Sequence, residues 1–521
     1  MSHPYADTHW DVIVIGAGIG GGSAGRALAE AGKKVLFIEY GKSLPRAQTN
    51  QLSDAILPAA RLARGLWPQP ISAKIDGETS EFFGPVGASV GGSSTFYAGT
   101  LERPTRNDLD HSEDIPHPTN GWPTSYNEMR PWFDRATRQF EVYGSQDPLS
   151  PESQSNLENA PSFTEGEANL IKSLKSAGLH PYHAHTAGSP DPTDNTSCLS
   201  DHPKLDARSA GVEPALATGN AFLLSEARVT RLIGLDSSVQ AIEINLHGEA
   251  LQLTADHFVL AAGAYGSPKI LLNSACELWP AGPCNEMDLV GRHIMFHANE
   301  LYALWPKQKL HGQMPTKAIA LRDFYLSGNR RQGSFQSMGV KASYGEIHHY
   351  LCQMMSRSRL KNWRMGRDFL RLPAVISEKL FGDAQIFVGL LEDLPYRENR
   401  VLHDPSDPDR IQIEYHYHDE FHARRKAFRR AIWKGTKGLK RLPLNLSPQL
   451  NFGHPCGSLR SGFDPKTSVI NENCRGHSLR NLWVTDASFM PTSMGVNPSL
   501  TIAANALRVA SKIVDAGKEE L

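Results

Sequence analysis

The chain has 521 residues, with 54 Lys and Arg set against 55 Asp and Glu, for a formal charge of −1. That length exceeds a single compact core and predicts two or more domains. The charge balance excludes an electrostatic case for nucleic acid or an anionic membrane as partner, and no leader or spanning segment is visible, so a cytoplasmic protein is expected.

The first organised segment is "DVIVIGAGIGGGSAGRALAEAGKKVLFIEYG". Val12 to Ile15 form a short apolar run, as a parallel strand buried on both faces requires. Gly16, Gly18 and Gly21 follow as GxGxxG, then a small-residue helix from about Ser23 to Ala31, then a second strand ending in Glu39. Glycines between strand and helix let a backbone approach a pyrophosphate, and an acidic residue about 20 positions on suits ribose hydroxyls. This context points to a dinucleotide site.

Residues 82–104, "FFGPVGASVGGSSTFYAGTLERP", are too glycine-rich for a regular element and predict a loop with close backbone approach. Residues 225–255 alternate and turn like a β-meander. Residues 253–275 repeat the first pattern, with a buried strand from Phe258 to Ala261, a break at Gly263 and Gly266, and a helix opening at Pro268. Residues 296–450 are rich in Arg, aromatic and amphipathic stretches and read as a substrate domain.

Within that stretch His416, His418 and His422 superficially suggest a metal site. Strand periodicity places the first two on one strand face and the third on a helix capped by Asp419, so structural histidines are expected, as at His348 and His349. The cysteines (Cys198, Cys276, Cys284, Cys352, Cys456, Cys474) are sparse and lack CxxC spacing, which argues against a disulfide framework. Finally, "SMGVNPSLTIAANALRVA" opens a helix with Asn497 at the cap and Pro498 at the first helical position. Leu500, Ala503, Ala504, Leu507 and Ala510 give it a buried face.

Six blocks now stand in order along nearly the whole chain: GxGxxG, "VGGSSTFYAGTLERP", "FVLAAGAYGSPKILLNSA", "VGRHIMFH", "GHPCGSLRSG" and "NLWVTDASFMPTSMGVNPSLTIAANALRVA". They resemble the glucose–methanol–choline (GMC) family of FAD-dependent oxidoreductases. The resemblance implies an α/β fold, with a Rossmann-like FAD-binding domain and an α+β substrate domain built on an antiparallel sheet. It assigns residues 1–110, 201–295 and 451–521 to the FAD domain, 111–200 to cap segments and 296–450 to substrate binding.

The same resemblance places FAD on Gly16, Gly18, Gly21 and Glu39, on Gly91, Gly92, Ser93 and Ser94, and on Asn497, Pro498 and Ser499. Val229 falls at the adenine position and Asp486 at the ribityl–pyrophosphate position. The family's catalytic pair falls on His454 and Asn497. An imidazole suits removal of a hydroxyl proton, typically for ~10²–10⁴ in rate, while hydride passes to flavin N5. Asn497 does not titrate and would hold the hydroxyl. The free N–H groups at its helix start, worth roughly +0.5 of a charge, would stabilise a reduced anionic flavin. Cys456, near His454, reads as a small packing residue.

The Asn of the pair, "STFYAGTLERP" and "PHPTNGWPTSY" resemble the bacterial branch of pyranose oxidases and glycoside 3-oxidases, with aminosugar oxidases close in pattern. The implied substrate is a sugar or glycoside oxidised at a secondary ring hydroxyl, with oxygen or a quinone-type molecule as electron acceptor. Gln336, His348, Tyr350 and Gln353 suit sugar recognition. A FAD-containing lyase without redox chemistry and a silent flavin-binding subunit are the alternatives, and His454 with Asn497 argues against the second. Phe96 stands where some pyranose oxidases attach flavin to a histidine, and it has no nucleophilic atom. Non-covalent FAD is therefore expected, with the phenol of Tyr97 the other ring in that stretch.

Overall fold

The computed structural model describes residues 4–44, 58–188, 204–307, 316–341, 347–348, 351–352, 355, 366–382 and 384–519. Cys198, His349, Tyr350 and Gln353 lie outside these residues.

Strand β1 (His9–Ile15) leads into helix α1 (Ile19–Glu30) and strand β2 (Val35–Ile38). Strand β3 (Ala221–Leu224) and the meander β4 (Ala227–Leu235), β5 (Ser238–Leu246) and β6 (Glu249–Leu260) follow, then helix α2 (Gly263–Asn273). Strand β7 (Leu482–Val484) and helix α3 (Ser499–Glu519) come last. Together they form a seven-stranded sheet in the order β4-β5-β6-β1-β2-β3, with β7 also on β6. The pairs β6–β1, β1–β2, β2–β3 and β6–β7 are parallel, while the meander is antiparallel.

Strand β6 outruns the predicted Phe258–Ala261 stretch because it has two jobs. Its first half pairs with β5, and its apolar second half runs between β1 and β7 with Phe258 opposite both Ile13 and Leu482. Val12, Ile13, Val14, Phe258 and Val259 are fully buried, as a strand covered on both faces demands. The register aligns the carboxyl ends of β1, β2, β6 and β7. One edge of the sheet therefore carries Gly16, Glu39, Ala261 and Thr485.

The starts of α1, α2 and α3 differ from the sequence reading. Helix α1 begins at Ile19, before Ser23, because Gly22 N–H already reaches Gly18 O at 2.7 Å and closes the first turn inside the glycine motif. Helix α2 begins at Gly263, and Pro268 sits inside it. Proline removes the bond to the carbonyl four residues back, and here Ser458 Oγ donates to that carbonyl, Ala264 O, at 2.6 Å. In α3 the first bond runs from Ile502 N–H to Pro498 O, so Pro498 is the cap and Asn497 precedes it. Leu500, Ala503, Ala504, Leu507 and Ala510 are buried, and α3 packs on α1 and on the helix Tyr126–Gln139.

A second, six-stranded sheet joins Lys440–Pro443, Ala298–Trp305, Gln385–Leu391, Gly333–Lys341, Ile319–Leu321 and Tyr182–His183, with antiparallel pairs throughout. Its core gathers Tyr302, Phe335 and Phe387 with Phe421, Phe428 and Ile432 of the helix Asp419–Gly435. That helix is preceded by His418, so Asp419 is its first residue and not its cap. The strand before it ends at Tyr415, which takes His416 and His418 off any strand face. His416 lies 3.7 Å from the Asp76 carboxylate and His418 stacks on Tyr396 with ring centres 3.6 Å apart. Among the described residues no group of His, Cys, Asp and Glu could hold a metal, and no helix is long and apolar enough to cross a membrane.

Candidate active site

A cavity of about 420 Å³ opens at the shared strand edge. It is continuous from Glu39 and Val229, past Gly16, Gly18 and Asp486, to His454 and Asn497. Gly92, Ser93, Ser94, Pro498 and Ser499 also line it. Of the residues singled out in the sequence, Gly21 and Gly91 lie behind the wall. An added Cβ at Gly21 would meet Gly16 O at 2.0 Å, and Gly91 N–H donates to Ala17 O at 3.0 Å, tying the two glycine loops together.

The glycines of the first turn divide by what surrounds them. Gly16 has φ +106, and a Cβ there would strike Ala261 O at 2.4 Å, so the fold itself requires glycine. At Gly18, by contrast, a Cβ would meet only Gly92 Cα at 3.9 Å and would otherwise project into open space. Gly18 is also the cap of α1, with no side-chain hydrogen bond to the helix start. Unpaired N–H groups of a helix start beside open space form an anion cradle.

Two buried carboxylates brace this region. Glu39 accepts from Ala17 N–H at 3.0 Å and Gly41 N–H at 2.9 Å. Burial pushes its pKa up to about 7 against those bonds. Asp486 accepts from Gly263 N–H and Ser488 N–H at 2.9 and 2.8 Å, and from Ser267 and Ser488 hydroxyls. Asp486 is buried, and burial raises its pKa as well. It clamps the start of α2 to the turn after β7.

At the other end the side chains come from four distant segments. Residues 295–298 run antiparallel to 450–456, with Met295 bridging Cys456 and Ala298 bridging Leu450. This ladder sets His297 beside His454, their Nδ1 atoms 3.1 Å apart and their rings near perpendicular. Cys456 is buried within the same ladder, a packing position. Asn497 Oδ1 accepts from Gln336 Nε2 at 3.1 Å, and its NH₂ has no partner among the described residues. Gly495 holds the approach to Asn497 against Tyr325, whose ring a Cβ would meet at 2.7 Å.

The pKa of His454 lies well below the ordinary imidazole value, first through burial and then through His297 and Lys317. At neutral pH it is therefore an uncharged ring, able to accept a proton. Among the described residues, sequence reading missed His297, although its block was recognised, and assigned Gln336 to sugar recognition, whereas its amide donates to Asn497 Oδ1. Their signals are contacts across 157 and 161 positions, which no local pattern carries.

The chain is similar to known proteins along most of its length. The family models described as GMC oxidoreductase match residues 11–298 and 395–506. Paromamine 6'-oxidase of Streptomyces fradiae is 28% identical, covering 97% of this chain and 92% of its own. For 2-methyl-1,2-propanediol dehydrogenase of Mycolicibacterium austroafricanum the identity is 26%, over 96% and 95%. Pyridoxine 4-oxidase from Mesorbium loti superposes with a TM-score of 0.64 at 19% identity, over 97% of this chain and 99% of that one. A formate oxidase of Aspergillus oryzae RIB40 gives 0.70 at 16%, over 98% and 99%. These structures share the fold.

Proposed function

This chain belongs to the GMC oxidoreductase family, and from that premise we propose that it binds FAD and oxidises a sugar or glycoside at a secondary ring hydroxyl. The observation that carries the reading is one cavity joining a dinucleotide cradle to a neutral histidine and an asparagine. The residues fit the cofactor: the space beside Gly18 and the α1 start suit the pyrophosphate, and Glu39 retains lone pairs for ribose hydroxyls. Val229 would meet adenine, and Asp486 with the start of α3 would border the flavin end. Bound FAD supplies the hydride acceptor.

The chain's own part is proton handling and orientation. His454 takes the hydroxyl proton, and the Asn497 amide donates to the hydroxyl oxygen, so the two hold one alcohol by complementary bonds. Non-covalent FAD is part of the proposal, and the wall around it supports that reading. Phe96 offers no nucleophile, and the Tyr97 hydroxyl is committed to Leu205 O, with its pKa raised further by burial. Acid denaturation and centrifugation should leave FAD in the supernatant; flavin on a tryptic peptide would contradict this.

A second reading, an aminosugar oxidase, is favoured by the relative named paromamine 6'-oxidase. Anaerobic mixing with neutral glycosides and with aminosugars separates the two by which class bleaches the flavin. Repeating the turnover with oxygen and with a quinone identifies the acceptor. Product formation with the flavin remaining oxidised throughout would refute both and favour a lyase.

A further inference from the structure

His297 is fully buried and lies between two partners. Its Nε2 is 3.0 Å from Met494 O, and its Nδ1 is 3.1 Å from His454 Nδ1. A backbone carbonyl only accepts, so the proton of the first bond sits on His297 Nε2. A neutral imidazole has one N–H, which leaves His297 Nδ1 as a lone pair. Burial holds its pKa down to about 4, so a doubly protonated ring is not formed near neutrality. The 3.1 Å contact must then draw its proton from His454, whose Nδ1 is the donor. His454 also has a single N–H, and its Nε2 is consequently bare.

A competitor stands beside it. Asn451 Oδ1 accepts from Gly453 N–H at 3.1 Å, which turns its Nδ2 toward His454 Nδ1 at the longer distance of 3.3 Å. Without His297 that amide would donate to Nδ1. The His454 proton would then move to Nε2, the nitrogen that must be empty in a base.

We propose that His297 is a positioning residue that selects the tautomer of His454, keeping Nε2 free to accept a proton, and that Met494 O orients it in turn. The proposal rests on the reading of His454 as the base. Met494 has φ +61, a left-handed conformation rare for such a side chain, and stands in the "SMGVN" segment that carries Asn497. The chain of bonds from His454 thus ends on the backbone that presents its partner. Lys317 also acts on His454 by charge and lowers its pKa.

The test uses holoenzyme labelled with ¹⁵N-histidine, in which long-range ¹H–¹⁵N correlation reports the proton on each ring nitrogen. Signals are assigned by their loss in His454→Gln. His454 should show a protonated Nδ1 and a bare Nε2. In His297→Leu the proton should move to Nε2 and flavin reduction slow by ~10² at unchanged flavin content. His297→Asn places an accepting oxygen near the lost Nδ1 and should stay within about tenfold of wild type.

A protonated Nε2 in the wild type overturns the proposal, as does an unchanged tautomer in His297→Leu. Equal losses in the Leu and Asn variants would mark a packing role and overturn it too. If the Leu variant does not fold, the wild-type tautomer and the Asn variant still decide. The two readings fail separately. Wild-type reduction in His454→Gln removes the base itself, whereas slow reduction there with unaffected His297→Leu refutes only the role of His297.

Discussion

The two ends of the cavity are built in opposite ways. The cradle end uses main-chain atoms from contiguous segments: the turn after β1, the start of α1 and the loop at Gly92. The proposed reacting end uses side chains, His297, Gln336, His454 and Asn497, that meet only through long-range pairing. The difference lies in what each end is proposed to recognise. A pyrophosphate is held by backbone N–H groups and absent Cβ atoms, which a short motif fixes locally. A hydroxyl is held by one acceptor and one donor, whose orientation depends on whatever packs behind them.

The contrast can be broken from the cradle side first, where the effect should be largest. Gly18→Leu fills the open space at the α1 start while leaving Gly16, Gly20 and Gly21 to pack as before. It should fold and yield protein without flavin, hence without activity. Flavin in stoichiometric amount in that variant would remove the cradle. A smaller effect is expected at the other end. Gln336→Leu deletes the bond to Asn497 Oδ1 and should slow flavin reduction roughly five- to tenfold, the worth of about 1 kcal/mol of orientation, with flavin content intact. Loss of flavin there would mean that the two ends are not separable.

The smallest expected change is with pH. As the proposed base His454 must be neutral, and its pKa is depressed, so the active form is complete at neutrality and is lost only as pH falls through the lowered value. Flavin reduction should be flat from about pH 7 upward, its acid limb lying below the usual imidazole value of about 6.5. An acid limb centred at or above that value would contradict the buried, neutral histidine.

Much of the fold was legible because the patterns are local. The apolar run Val12–Ile15, the glycines after it and Glu39 at the end of β2 require no distant information, and the meander β4–β6 follows from alternation alone. The starts of α1 and α2 were misplaced because glycine and proline read as breakers until tertiary partners are known. Ser458 satisfies the carbonyl that Pro268 leaves open, and nothing near Pro268 in sequence announces it. His454 and Asn497 were legible only through resemblance. Their supports were not, since His297 takes its meaning from the ladder joining residues 295–298 to 450–456. Asp486 shows the intermediate case: its motif marked it, and the four donors around it show that it also fastens α2.

The central claim is that the reacting end performs base chemistry on an alcohol beside a cofactor held independently of it. His454→Ala tests this most directly, with flavin content and the anaerobic rate of flavin reduction measured on the same preparation. The visible flavin spectrum should be retained at wild-type stoichiometry, and reduction by substrate should slow by ~10² or more. Reduction at the wild-type rate in that variant would contradict the account.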